Sequence, residues 1–174
     1  TARKRVTPTK MLPKPQGETP VVYGVEPRYR EIARLRVTEG RFFDAFDEER
    51  AAPVCVLGQA ARASLFGTAT AVGEYVKANE QWYHVVGVAA PQAAVQTDVA
   101  GLPAQDRNNL VYVPLQAAML RSEDSYSYLK DEIDGIYLQL EAVTDPVATA
   151  SVVRGILDAA HRRADDFSVV VPAE

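Results

Sequence analysis

Cysteine, histidine and long apolar runs are scarce in this 174-residue chain. Cys55 is its one cysteine, and His84 and His161 are its only histidines. A single thiol excludes an internal disulfide and any cysteine-based zinc site. Neither histidine has a second at ligand spacing, so a zinc site would need carboxylates gathered from distant segments. The longest apolar run, Val85 to Ala90, falls far short of the roughly 20 residues a membrane-spanning helix needs. Positive charge is also in deficit. Nineteen Lys and Arg against 23 Asp and Glu give a net charge of −4, which argues against a nucleic-acid partner. The phosphate loop Gly-x-x-x-x-Gly-Lys-Ser/Thr, the dinucleotide loop Gly-x-Gly-x-x-Gly and the Gly-x-Ser-x-Gly elbow are all missing.

What is present describes a globular chain. Hydrophobic residues make up 47%, though alanine inflates that share, and mean hydropathy is −0.15. The length suits one sizeable domain or two small lobes, on a scale of roughly 100–200 residues per domain. Such a chain buries roughly 70% of its unfolded surface and needs no staple. Arg3, Lys4, Arg5, Lys10 and Lys14 precede the first acid, Glu18, and no apolar segment follows them as it would in a signal peptide. Pro8, Pro13, Pro15 and Pro20 favour extended or edge structure over helix, giving a solvated, polar β segment or a frayed end.

Val21 to Val25 reads as a strand, and Tyr29 to Leu35 as a short helix. Glu39-Gly40-Arg41-Phe42-Phe43 reads as a turn in which Gly40 permits a positive φ. Pro53 to Leu57 is a continuous apolar run, as expected of a strand covered on both faces, with Cys55 a buried structural residue within it. Gln59 to Phe66 reads as a helix packing through Ala60, Ala63 and Leu65, closed by Gly67. Gly73 to Val88 reads as a hairpin turning near Asn79. In its second arm Trp82, His84, Val86 and Val88 share one face, and Tyr83 and Val85 the other. Pro91 to Asn109 has no period and is the expected mobile segment. Leu110 to Pro114 is a strand, Leu115 to Leu120 a helix, and Ser122 to Asp134 a solvated acidic excursion. Ile136, Leu138 and Leu140 alternate with polar neighbours as in a half-buried strand. Asp145-Pro146 opens a helix running to about Ala164, with Val153, Ile156, Leu157, Ala160 and Ala164 on its packing face. Phe167 to Val171 is a closing strand. The order predicts an α+β fold with an antiparallel or mixed sheet, in two lobes.

Chemistry finds little purchase in these residues. Asp44, Asp47, Glu48 and Glu49 lack the every-second-residue oxygen ladder of a calcium loop and read as solvated loop charge. His84 and His161 read as structural or surface residues. No catalytic, cofactor-binding or metal residue is assigned, and no cofactor. Two readings stay open at this point: a stand-alone soluble α+β binding or scaffold module, and an enzyme assembled from scattered carboxylates with His84 or His161.

Several segments in order nonetheless look familiar. Val21-Val22-Tyr23-Gly24-Val25-Glu26-Pro27-Arg28-Tyr29 is followed by Glu39-Gly40-Arg41-Phe42-Phe43, Pro53 to Gly58, Leu65-Phe66-Gly67, Val72-Gly73, Tyr83 to Val88 and Leu110 to Leu115. The series resembles the MacB-like periplasmic core domain of ABC transporter permeases of the FtsX-like group. The resemblance implies a two-lobe extracytoplasmic domain in which a β-rich mixed or antiparallel lobe is inserted into a small α/β lobe. Residues 1–20 would be a basic extended segment belonging to the α/β lobe, 21–135 the inserted lobe, and 136–174 the strand–helix–strand of the α/β lobe. Relatives open with a strand and helix ahead of the point where the resemblance begins, and that unit is not found here. The resemblance further implies no enzymatic activity and a place on the outer side of the cytoplasmic membrane. A cognate ABC ATPase reached through transmembrane helices, a periplasmic adaptor and homodimerisation in the full transporter complete the expectation. No functional residue carries over, since Gly24, Gly40, Gly67, Gly73 and Gly87 read as turn and packing requirements.

Overall fold

A computed structural model of the chain describes residues 1–92, 108–121, 133–161 and 167–171. The elements are β1 (Ala2–Val6), β2 (Met11–Leu12), β3 (Val21–Val25), α1 (Tyr29–Ile32), β4 (Val37–Gly40), α2 (Ala45–Glu49) and β5 (Val54–Leu57). They continue with α3 (Gln59–Phe66), β6 (Tyr75–Ala78), β7 (Gln81–Ala89), β8 (Leu110–Pro114), α4 (Leu115–Arg121), β9 (Gly135–Ile136) and α5 (Pro146–Ala160). They fall into two compact units. Among the described residues, 1–92, 108–121 and 133–138 form the larger, and 139–161 with 167–171 the smaller.

The apolar runs lie at the centre of the larger unit because a strand with no polar side must be covered twice. One mixed sheet runs in the order β2-β6-β7-β5-β8-β3-β1-β9, with β4 added beside β7. β3 pairs parallel with β8, and β5 pairs parallel with β7 and antiparallel with β8. Side chains alternate across the strands. Val22, Cys55, Leu57, Val111 and Val113 point to one face, under Ala61 and Leu65 of α3 and Ala117 and Ala118 of α4. Tyr23, Val25, Val56, Leu110 and Tyr112 point to the other, under Tyr29, Leu35, Phe42 and Phe43. The observed fold is the α+β class expected, with helices on a curled mixed sheet.

Gly24 shows how tightly α4 sits on the sheet. A Cβ at this position would lie 2.3 Å from the Cβ of Ala118. The absent side chain is what lets the helix approach.

Several local expectations are corrected. β1 pairs antiparallel with β3, Arg3 opposite Val25 and Val6 opposite Val22, so the first residues form an ordered strand and not a frayed end. Lys4 there is 3% exposed, far from solvated. α3 buries Ala61 and Leu65, an i, i+4 pair, in place of Ala60 and Ala63. Val88 packs with Tyr83 and Val85, not with Trp82 and His84. A shift in the β5–β7 register between Cys55 and Val56 skips Val86, and one extra residue reverses the parity of everything after it. Beyond Gly135–Ile136 the expected strand does not continue, and Ile136 and Leu138 are exposed while Tyr137 packs into the second cluster. The alternation was sound; the aromatic phase faces inward. The loop expected over Pro91–Asn109 and the excursion over Ser122–Asp134 lie mostly outside the described residues.

In the smaller unit, Asp145 caps α5, accepting from Val147 N at 2.8 Å and Ala148 N at 3.3 Å, with Pro146 in the first turn. The expected packing face is only partly covered. Val153 and Leu157 are half-buried, whereas Ile156 is 63% exposed and Ala160 is exposed; Ala164 lies outside the described residues. Residues 167–171 form no strand.

Candidate functional site

The acidic run after Phe43 is where sequence reading found the densest polar chemistry. It forms α2 in place of a loop. Asp44 accepts from Phe46 N and Asp47 N, both at 3.0 Å, and Asp47 accepts in return from Asp44 N at 3.2 Å. This reciprocal capping box satisfies amides that a short helix otherwise leaves open. Asp47 also receives Arg41, Nη1 to Oδ2 at 2.6 Å, and is 8% exposed. Two of the four acids thus serve as caps. Burial alone would push the Asp47 carboxyl up, but the Arg41 guanidinium and the Asp44 amide outweigh it, and the group lies below the usual aspartate value of 3.8.

A lowered folded-state pKa contributes stability at pH above the unfolded value and loses it as pH falls through the folded one. Arg41 is half exposed, which limits the effect. Arg41→Ala is expected to cost about 0.5–1 kcal/mol at pH 7. The difference should shrink as pH falls below 3.8 and vanish once the folded-state carboxyl protonates, read by urea unfolding across pH.

Glu48 acts on a different element. Its Oε1 accepts from Gln116 N at 3.1 Å, tying α2 to the first turn of α4, while its buried Oε2 has no hydrogen-bond partner among the described residues. Burial pushes its carboxyl up from the usual glutamate value, against the pull of the Gln116 and Leu115 amides. A raised pKa contributes stability at low pH and loses it as pH rises. Glu48→Gln keeps the acceptor and removes the poorly solvated charge. Its melting temperature is expected to exceed that of the parent at pH 8 and to match it at pH 4, measured by circular dichroism.

The remaining candidates are dispersed. His84 lies on β7 with its ring 5.0 Å from that of Tyr75, and His161 ends α5 with its ring 5.6 Å from Phe167. Cys55 is fully buried, and burial pushes its thiol far up. Among the described residues no group of three or more His, Cys, Asp or Glu is placed to hold a metal ion. At the sheet's far edge β1 and β9 lie together. Thr1 N donates to Tyr137 O at 2.9 Å, Tyr137 N donates back to Thr1 O at 2.8 Å, and the Arg3 guanidinium lies 4.7 Å from the Tyr23 ring centre.

One concave feature escaped sequence reading. An open recess of about 590 Å³ is lined by Arg30, Glu31, Arg34, Leu35 and Arg36. The signal available was the run of arginines at 28, 30, 34 and 36 in an acidic chain.

Together these features define a module whose acids and arginines brace elements against one another around a doubly covered sheet. The chain belongs to the MacB-like periplasmic core domain family, whose model matches residues 3–172. It is a MacB-like periplasmic domain of an ABC transporter permease. The macrolide export ATP-binding/permease protein MacB of Azoarcus sp. is 33% identical over 133 residues, 76% of this chain and 18% of that protein. Its counterpart in Chlorobaculum tepidum is 28% identical over 145 residues, 83% of this chain and 20% of that protein. This chain therefore spans about a fifth of the length of these relatives. In fold it is similar to the periplasmic region of MacB from Actinobacillus actinomycetemcomitans, with a TM-score of 0.68 at 14% identity over 94% of this chain and 67% of that one. Among the described residues no helix is long and apolar enough to cross a membrane.

Proposed function

We propose that this domain stands outside the cytoplasmic membrane and passes ATP-driven displacement of a permease's helices to export or to a periplasmic partner, with no reaction of its own. The family match carries this reading, and the packing supports it. The sheet is covered on both faces, and close-packed protein interiors resist compression, so it is suited to move as a body. Export stands in the names of both relatives. The energy would come from a cognate ABC ATPase on the opposite side of the membrane, with a periplasmic adaptor and a second copy of the permease as further partners.

The topology is testable in cells producing the whole protein. Glu80 lies in the β6–β7 turn with its side chain 79% exposed, while the native Cys55 is sealed in the core. A Glu80→Cys variant is expected to react with a membrane-impermeant maleimide once the outer barrier is opened, the inner membrane being intact. Cys55 itself should stay unlabelled until the protein is denatured, so the signal is read as the gain of Glu80→Cys over the parent. Labelling of Glu80→Cys only after the inner membrane is broken would overturn the proposal.

A further inference from the structure

We propose that the turn from Arg28 to Arg36 is an anion site that takes a phosphate group. The charge is the first ground. Arg28, Arg30, Arg34 and Arg36 are all exposed, and none is in an ion pair among the described residues, where the pairs are those of Thr1, Arg41 and Lys77. Two acids lie in the same stretch. Glu26 is turned to the chain start, accepting from Ala2 N at 3.3 Å, which leaves Glu31 as the one acid in the recess against Arg30, Arg34 and Arg36. In a chain of net charge −4 this is a local excess of the opposite sign.

The frame is the second ground. Tyr29 and Leu35 are 7% and 4% exposed and anchor both ends of the turn in the second core cluster. Between them Leu35 N donates to Arg30 O at 2.8 Å, and beyond them Ala90 N donates to Arg36 O at 2.7 Å. Arg34 is held at a φ of 51°, a conformation that glycine or asparagine adopts with less strain. A bulky cationic residue in that position projects its guanidinium where a glycine would place none. The recess that Arg30, Arg34 and Arg36 line is open to solvent, so a charged group can reach it. Guanidinium groups pair with phosphate through parallel N–H donors, and a doubly charged phosphate answers three of them better than a single carboxylate does. The inference is independent of the proposed transport role. The same phosphate chemistry belongs to a soluble phosphate compound and to a lipid headgroup, and the test separates them.

The probes are inorganic phosphate and vesicles of phosphatidylglycerol or phosphatidylcholine, applied to the 174-residue chain. Backbone amide shifts are followed by NMR at constant ionic strength. Phosphate is expected to move amides confined to residues 28–36, and chloride to move none. A double variant, Arg30→Gln with Arg34→Asn, keeps a residue that tolerates positive φ at 34 and is expected to melt like the parent. Its affinity for phosphate should fall at least about tenfold, the loss of one charge-assisted hydrogen bond or more. Sedimentation with phosphatidylglycerol vesicles alone, abolished in the double variant, assigns the site to headgroups. Phosphate shifts without sedimentation assign it to soluble compounds. Absence of shifts, equal shifts with chloride, or unchanged affinity in the folded double variant would overturn the site.

Discussion

Gly87→Ala is expected to destabilise the larger unit by at least about 3 kcal/mol, the upper end of overpacking costs. The reason is the seam between β4 and β7, where Gly40 lies opposite Gly87. A Cβ on Gly87 would fall 2.2 Å from the Arg41 carbonyl oxygen, 3.0 Å from its carbon and 3.1 Å from the Glu39 oxygen. All three are backbone atoms. No rotamer change relieves the clash, and Arg41 N already donates to Val86 O at 2.9 Å across the same seam. The strand pair would have to part, taking Phe42 and Phe43 from the second core cluster with it. Gly155→Ala is the internal contrast. Gly155 lies within α5 with nothing within 4 Å of the position its Cβ would take. There the same change should stabilise the helix by up to about 1 kcal/mol. Urea unfolding followed by circular dichroism reads both, and a Gly87→Ala variant within about 0.5 kcal/mol of the parent would show the seam to be pliable.

Tyr112→Ala is expected to cost about 3–5 kcal/mol, the range for removing a large buried aromatic. Tyr112 is 1% exposed at the centre of β8. Its ring lies 6.5 Å from Tyr23, 6.0 Å from Tyr29 and 6.5 Å from Phe42, so it joins the sheet to α1 and to the segment after β4. A cavity there has three separate elements as walls, and none can collapse without dragging its neighbours. The same unfolding measurement applies; a loss under about 1 kcal/mol would mean that these walls relax to fill the space.

The legible part of the chain was that in which composition and period dictate structure locally. The runs at Val21–Val25, Val54–Leu57 and Leu110–Pro114 are strands, and Asp145-Pro146 opens a helix, because β-branched content and capping chemistry act over a few residues. β1 was harder to place. Ala2–Val6 carries three cations, and its place in the sheet rests on pairing with β3 and on the Arg3 guanidinium lying over the Tyr23 ring, neither of which its own residues announce. The bulge that turns Val88 inward depends on the register between β5 and β7, which no single segment encodes. α5 shows the opposite failure. Its apolar spacing is real, yet Ile156 is exposed, because periodicity names a face without supplying what covers it. As for the site, the acids of Asp44–Glu49 were visible as a cluster, but the bracing of Asp47 by Arg41 and of Glu48 by the Gln116 amide, 68 residues further on than Glu48, is set by the tertiary fold.

The proposed function requires that the sheet move as one body, keeping its internal distances, if nucleotide drives the whole protein. Spin labels on Glu49→Cys in α2 and Glu80→Cys in the β6–β7 turn report the distance across it, with Cys55 too deeply buried to take a label. In the whole protein reconstituted in membranes, that distance is predicted to be the same with and without ATP. A distance that lengthens or shortens on ATP binding would show that the domain deforms internally and would contradict the account.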